Sequence, residues 1–263
     1  MNKQLKTMNK IKTSLIISIF ALLLFSACSK EQGPQGPSGP SLSGTFVGFV
    51  TLYDQYGDVM SNDSGVLVSV VGKNISATTN ANGRYILPGL TTGVYDFTFT
   101  KVGYGSAKTI SQNFVGGDTQ FLGTIKTMSQ IPNFSVTGLS LLPVTTKNPL
   151  NNYIKIAGSV NATDTKDRKV IFFVSNQNNV SYLPANYMYT ATATILADST
   201  NFTFDAIDLT LYQAGLPSGS TAYVAAYASA YQNTSSSVFD INTGRTLFNA
   251  INTSGSSSSI IMP

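Results

Sequence analysis

The sequence predicts an all-β protein made of two tandem β-sandwich domains. From Gly44 onward, apolar and polar residues alternate, which is the period of a half-buried strand. Clusters of Gly, Asn, Asp and Pro interrupt this alternation at regular intervals, as turns do in sandwiches. No long window beyond the first 27 residues shows a helical hydrophobic period. Together these observations favour sheet packed on sheet.

The first domain is predicted over residues 44–130. Its turn at Asn82-Gly83 supplies the positive φ that joins two strands tightly. Gly93 allows a tight entry into the following strand, and Gly103 lets the chain bend away after it. The predicted strands are Phe46–Tyr53, Val66–Val71, Ile75–Thr79, Arg84–Leu87, Tyr95–Thr100 and Thr119–Lys126.

Residues 44–128 resemble the carboxypeptidase regulatory-like domain. The resemblance rests on several spaced motifs together: Gly48-Phe49-Val50, Gly57-Asp58-Val59, Val66 to Val70, Thr78 to Tyr85, Leu87 to Leu90, Gly93-Val94-Tyr95 and Lys101 to Tyr104. It implies a transthyretin-like β-sandwich that has no catalytic centre of its own. Such a domain would act as a stalk, a spacer or a docking module.

The second domain is predicted over residues 131–263, because Ile131-Pro132-Asn133 breaks the strand pattern. The segment from Leu216 to Ala228 is similar to the tyrosine corner of a fibronectin type III domain, and an immunoglobulin-like relative is the alternative. The resemblance implies that the Tyr223 ring packs in the core while its hydroxyl bonds the turn. The predicted strands are Ser135–Leu142, Tyr153–Val160, Lys169–Ser175, Tyr187–Leu196, Phe202–Leu209, Ala222–Ser229, Ser237–Ile241 and Ser259–Met262.

The amino terminus has the order of a secretion signal. Four lysines precede an apolar run, Leu15 to Phe25, and small residues then lead to Cys28, the only cysteine. This stretch resembles a bacterial lipoprotein signal peptide over residues 1–27, which implies that Cys28 is acylated and anchors the chain in membrane lipid. The alternative, an uncleaved transmembrane helix, is disfavoured because the run is too short. Residues 28–43 hold Gly-Pro triplets and are predicted to be an extended linker.

Composition excludes several classes of function. The chain has no His, and its one thiol is assigned to lipid, so imidazole bases, Cys nucleophiles, His or Cys zinc sites and disulfides are absent. The net charge of +4 comes from the four lysines of the signal, which leaves a body of balanced charge and no reason to expect nucleic-acid binding. No cofactor motif is present. The sequence therefore predicts a protein that is not an enzyme.

Acidic residues are the remaining candidates for chemistry. Asp164 with Asp167, or Asp205 with Asp208, could form a glycosidase pair, but solvated turn acids are the favoured explanation. The patch of Asn62 with Asp54, Asp58 and Asp63 could hold Ca²⁺, although its spacing matches no EF-hand and turn chemistry is the alternative. We predict no metal site.

Tyrosines are the candidate ligand-binding residues. On a strand Tyr187 and Tyr189 would share one face, as would Tyr223 and Tyr227, so Tyr187, Tyr189 and Tyr227 could form an aromatic platform; core packing is the alternative.

The predicted function is that of a non-catalytic surface lipoprotein of the outer membrane, exposed at the cell surface, which acts as a binding or adhesion module for a polysaccharide or a protein. The alternatives are a glycan-binding accessory of a nutrient-uptake system and a structural subunit of a surface assembly.

Overall fold

The computed structural model describes residues 42–123, 125–148, 152–233 and 237–263, without the side chains of residues 207–209. Residues 41–263 form one compact unit. Cys28 and the predicted signal and linker, up to residue 41, lie outside the described residues. Within the described ranges, no helix has the length and apolar character needed to cross a membrane.

The first sandwich consists of two sheets. One has the order β4-β1-β7, with β8 also pairing parallel to β1, and the other has the order β3-β2-β5-β6. The strands are β1 (Ser43–Tyr53), β2 (Leu67–Val70), β3 (Ser76–Thr78), β4 (Arg84–Thr91), β5 (Gly93–Thr100), β6 (Ala107–Phe114), β7 (Thr119–Phe121) and β8 (Lys126–Ser129).

Alternate residues of these strands meet in one aromatic-rich core. Phe46 lies at its centre, 5.2 Å from the ring of Phe97 and 5.6 Å from that of Phe114. Tyr85 fills the space above Gly48, where a Cβ atom would lie 2.2 Å from the tyrosine hydroxyl. That hydroxyl is buried without a hydrogen-bond partner, and burial raises its pKa. The tight fit thus requires glycine at position 48.

The second sandwich pairs a three-stranded sheet, β13-β10-β9, with a four-stranded sheet, β12-β11-β14-β17. A short hairpin, β15-β16, stands apart from both sheets. The bounds are β9 (Val136–Val144), β10 (Tyr153–Val160), β11 (Arg168–Ser175), β12 (Tyr189–Ile195), β13 (Asn201–Ile207), α1 (Asp208–Gln213), β14 (Thr221–Ser229), β15 (Val238–Asp240), β16 (Arg245–Leu247) and β17 (Ser256–Ile261); a 3-10 turn spans Pro184–Asn186.

Both faces of strand β11 are buried. Val170, Phe172 and Val174 point into the sandwich core, whereas Ile171 and Phe173 point to the opposite face and meet a second apolar cluster. This explains why the strand is a continuous apolar run in sequence and does not alternate. The second sheet is therefore covered on its outer face as well.

The predicted all-β class is confirmed. The structure adds two strands that the sequence pattern did not reveal, β6 and β16. It ends the predicted strand Thr119–Lys126 at Phe121, as β7, and β8 begins only at Lys126. It also ends the predicted strand Phe202–Leu209 at Ile207, and helix α1 begins at the next residue, Asp208.

Candidate functional site

The two sandwiches meet through the loop that follows β1, and Gln55 is its central residue. The Gln55 side chain is 7 % exposed. The backbone carbonyl oxygen of Gln55 accepts a hydrogen bond from the Tyr231 amide at 3.0 Å. Its side-chain Oε1 accepts one from the Asn133 amide at 2.9 Å. Its Nε2 donates to the Tyr56 hydroxyl at 2.8 Å, and that hydroxyl in turn donates to Asp164. A chain of hydrogen bonds thus joins the loop to the second sandwich at three points.

Ion pairs reinforce this junction on its solvent side. Lys166 Nζ donates to Asp58 Oδ2 at 2.5 Å and lies 4.0 Å from Asp54 Oδ2. The bond to Asp58 raises the pKa of the Lys166 ammonium, and the bond from Tyr56 lowers the pKa of the Asp164 carboxyl. The Lys166 and Asp58 side chains are 50 % and 67 % exposed, so their ion pair contributes orientation more than stability.

The candidate catalytic acids have structural roles. Besides its bond from Tyr56, Asp164 Oδ1 accepts the Lys166 amide at 3.4 Å, and Asp167 Oδ1 accepts the Ala197 amide at 2.9 Å. Asp205 lies on strand β13, opposite Lys155 in register. The side chain of Asp208 lies outside the described ones. Asp164 and Asp167 thus serve the junction and a turn, which is the alternative reading of these two acids.

The candidate Ca²⁺ loop is also used for turn chemistry. Asp54 Oδ1 accepts the amides of Tyr56 and Asp58, both at 2.9 Å. Asp63 Oδ1 accepts the Leu52 amide at 2.7 Å, and Asn62 caps its own turn. Over the described ranges, no three His, Cys, Asp or Glu side chains come together as metal ligands could.

Two of the three candidate platform tyrosines do not share a face, which corrects the prediction. Tyr187 follows the 3-10 turn, precedes strand β12 and is only 4 % exposed. Its hydroxyl donates to the Thr246 carbonyl at 2.5 Å, and its ring meets Phe173 edge-on at 5.0 Å. Tyr189, the first residue of β12, packs against the sandwich core on the other side of the sheet. A sugar or a partner protein cannot stack on the Tyr187 ring while it is buried.

The third candidate, Tyr227, is half-buried in the cluster outside the second sheet. Its ring lies 5.7 Å from Phe173 and 5.6 Å from Tyr182, both edge-on. Gly255 approaches it so closely that a Cβ atom would lie 2.5 Å from the ring. Burial raises the pKa of its hydroxyl. Core packing, the alternative that the sequence left open, describes this residue better than a free platform.

The role predicted for Tyr223 is wrong. Tyr223 shares a face with Tyr227, as expected, but that face belongs to the outer cluster and not to the sandwich core. The turn before β14 is closed instead by Ser220, whose Oγ and amide both bond the Pro217 carbonyl. Among the hydrogen bonds of the described residues, none joins the Tyr223 hydroxyl to this turn. The tyrosine corner is therefore absent from this position.

One cleft in the described part of the chain lies between the two sandwiches, at a place that sequence patterns did not indicate. The outer face of strand β5 and the start of β6 form one wall, and hairpin β15-β16 forms the other. Its volume is about 400 Å³, within the range of small-ligand sites. The lining residues are Thr98, Thr100, Ser106, Ala107, Lys108, Val238, Leu247 and Asn249.

The lining of the cleft has no unpaired charge and is rich in hydroxyl groups. Lys108 is the one charged lining residue, and it forms an ion pair with Asp96 at 3.5 Å. Val238 and Leu247, paired across the hairpin, make the opposite wall apolar. Such a cleft suits a neutral ligand that offers both hydrogen-bonding groups and apolar surface.

The fold is thus that of a two-sandwich, all-β protein with a cleft at the junction of the sandwiches. Residues 47–122 match the family described as the carboxypeptidase regulatory-like domain. This confirms the predicted resemblance of the first sandwich. Comparison with curated proteins found no match to the chain.

Three solved structures align with this chain at low identity and low TM-score. A type II cohesin-X-dockerin complex from Acetivibrio cellulolyticus aligns with 19 % identity, 33 % of this chain, 57 % of that chain and a TM-score of 0.28. A candidate carbohydrate binding protein from Bacteroides uniformis aligns with 15 % identity over 84 % of this chain and 100 % of that chain, with a TM-score of 0.28. The major pilin subunit BcpA of Bacillus cereus aligns with 13 % identity over 83 % of this chain and 69 % of that chain, with a TM-score of 0.25. This chain thus spans less than two thirds of the cohesin-dockerin chain that it matches.

Proposed function

We propose that this protein is a non-catalytic binding module, held at a membrane by an acylated Cys28, whose cleft between the sandwiches takes a neutral ligand. The observation that carries the proposal is the lining of that cleft, where threonine and serine hydroxyls face an apolar hairpin and the only cation is paired. The chain contains no His, and the described carboxylates near the junction accept backbone amides or pair with Lys166. These features support recognition without bond cleavage.

Replacing Cys28 with Ala tests the anchor. We expect the wild-type protein in the membrane fraction, carrying metabolically supplied palmitate, and the variant in the soluble fraction without label, because the thiolate is the acyl acceptor. Ser29→Ala is the matched control and should stay with the membrane. An unlabelled wild type, or full membrane retention of the Cys28 variant, would contradict lipid anchoring at this residue.

A second test concerns the cleft. In affinity gel electrophoresis through dextran, starch, xylan or β-glucan, we expect at least one polymer to retard the wild type. The paired substitution Thr98→Val and Thr100→Val should weaken retardation about tenfold, because two hydroxyl groups that can bond the ligand are lost. Thr78→Val, exposed on strand β3 and outside the cleft, is the control. Release of new reducing ends during incubation would show catalysis and refute the proposal.

A structural role in a surface assembly is the second candidate. Strands β9 and β17 form neighbouring edges of the second sandwich, and neither carries a charged residue that would discourage pairing with another chain. Assembly through these edges would appear as concentration-dependent oligomers in size-exclusion chromatography.

A further inference from the structure

The outer face of the sheet β4-β1-β7 carries an apolar band where a solvent-facing sheet ordinarily carries polar residues. The band, called here the β1 band, consists of Val47, Phe49, Ile86 and Phe121. Val47 lies opposite Ile86 on β4 and opposite Phe121 on β7, and Phe49 is the next outward residue of β1. Val47 is 1 % exposed, whereas Phe49, Ile86 and Phe121 are 36 %, 42 % and 62 % exposed. The larger three therefore form the surface.

Hydroxyl groups border the band at both ends. Thr45, paired with Thr119 on β7, precedes Val47 on the outer face, and Thr51 follows Phe49. Successive outward residues of a strand are about 7 Å apart and neighbouring strands about 5 Å apart, which places the Phe49 and Phe121 positions about 8 Å from each other. The face thus presents two aromatic rings with threonine hydroxyls on either side.

Charge and size limit what can occupy this face. Arg84, opposite Phe49, is the one charged residue at an outward position of β1, β4, β7 and β8 within the described part of the chain. A stable protein interface buries about 800 Å² on each partner, contributed by 20 to 30 residues. The β1 band exposes three apolar side chains, too few for a globular partner. A small, uncharged ligand with both apolar and hydroxyl-bearing surfaces fits the face better.

We propose that the β1 band binds a neutral oligosaccharide, with sugar rings stacked on Phe49 and Phe121. The apolar C–H face of a pyranose packs on an aromatic ring, while its equatorial hydroxyls point sideways toward Thr45, Thr51 and Arg84. Two phenyl rings at this spacing can engage neighbouring sugars of one chain. This site is separate from the cleft, and it extends the proposed function to a second surface.

Saturation-transfer-difference NMR with cellotriose and with maltotriose tests the site. We expect transfer from the protein to the ring C–H protons of at least one trisaccharide. Phe49→Ala and Phe121→Ala should each weaken binding about three- to tenfold. Phe121→Leu should behave like Phe121→Ala, because it keeps the apolar surface but removes the ring. Ile110→Ala, at an exposed position on β6 of the other sheet, is the control and should leave the transfer unchanged.

Several outcomes would overturn the proposal. No transfer to either trisaccharide would do so, as would wild-type affinity in Phe121→Leu. The paired Thr98 and Thr100 variant could lose the transfer while the phenylalanine variants keep it. That result would also refute sugar binding at the β1 band, and it would support binding in the cleft. A wild-type dimer that Phe121→Ala dissociates would assign the face to protein contact instead. Conversely, loss in the phenylalanine variants with polymer retardation unaffected by the cleft variant would support the β1 band and refute the cleft.

Discussion

Gly83→Ala is expected to destabilise the protein by about 3 to 5 kcal/mol. Gly83 has a φ of +72°, a region that costs an L-residue energy, and a Cβ atom there would lie 1.9 Å from the Val50 carbonyl oxygen. The Gly83 carbonyl also accepts the Val50 amide at 2.9 Å, so the turn cannot move away without breaking that bond. Urea unfolding followed by circular dichroism measures the loss.

Gly89→Ala separates the cost of the positive φ from the cost of the Cβ contact with Val50. Gly89 has a similar φ of +74°, but a Cβ atom there would meet nothing within 4 Å. We expect a loss of about 1 to 2 kcal/mol from backbone strain alone. Equal losses for the two variants would show that the contact with Val50 is not what requires glycine at position 83.

Gly105→Ala is expected to loosen the junction between the sandwiches and to cost about 2 to 3 kcal/mol. Its φ lies outside the left-handed region, so alanine fits the local backbone. A Cβ atom would nevertheless lie 2.6 Å from the Asn249 carbonyl carbon and 2.7 Å from the Ala250 nitrogen. Backbone atoms cannot swing aside as side chains do, so the wall of the cleft that contains Asn249 must shift.

The measurements for Gly105→Ala are thermal unfolding and limited proteolysis between the sandwiches, near Pro132. We expect a lower melting temperature and faster cleavage there. Gly123→Ala is the matched control, because a Cβ atom at Gly123 would meet nothing within 4 Å and its φ is ordinary. A Gly105 variant as stable and as protease-resistant as the Gly123 variant would contradict the tight approach seen in the structure.

Much of the fold could be predicted because the strand period is local. Strand β10 was predicted with its observed bounds, Tyr153–Val160, since alternate residues of this strand are buried. Strand β6 was missed because its alternation fails at Ser111, whose φ of +54° and shifted register mark a bulge. The Ser111 amide bonds the Asp96 carboxylate, a partner fifteen residues away that no local pattern indicates.

The site could be predicted far less well. An alternating strand shows which residues share a face but not what covers that face, and this is why the tyrosines seemed available. The cover of Tyr187 comes from Thr246 and Arg245 on hairpin β15-β16, nearly sixty residues further along the chain. The cleft and the β1 band depend on register between strands, as in the pairing of Val47 with both Ile86 and Phe121. Such pairings arise only in the folded chain, so the spacing of residues in the sequence does not reveal them.

Strand β1 has a mechanical consequence. It pairs with β4 on one side and runs parallel to β7 and β8 on the other, so three ladders of backbone hydrogen bonds hold it along its length. A force pulling the chain from Leu42, just before β1, acts along the strand and perpendicular to those bonds. The hydrogen bonds of a ladder must then break together as β1 slides along its neighbours, instead of opening one at a time. We therefore expect the first sandwich to resist a force applied at its amino-terminal end.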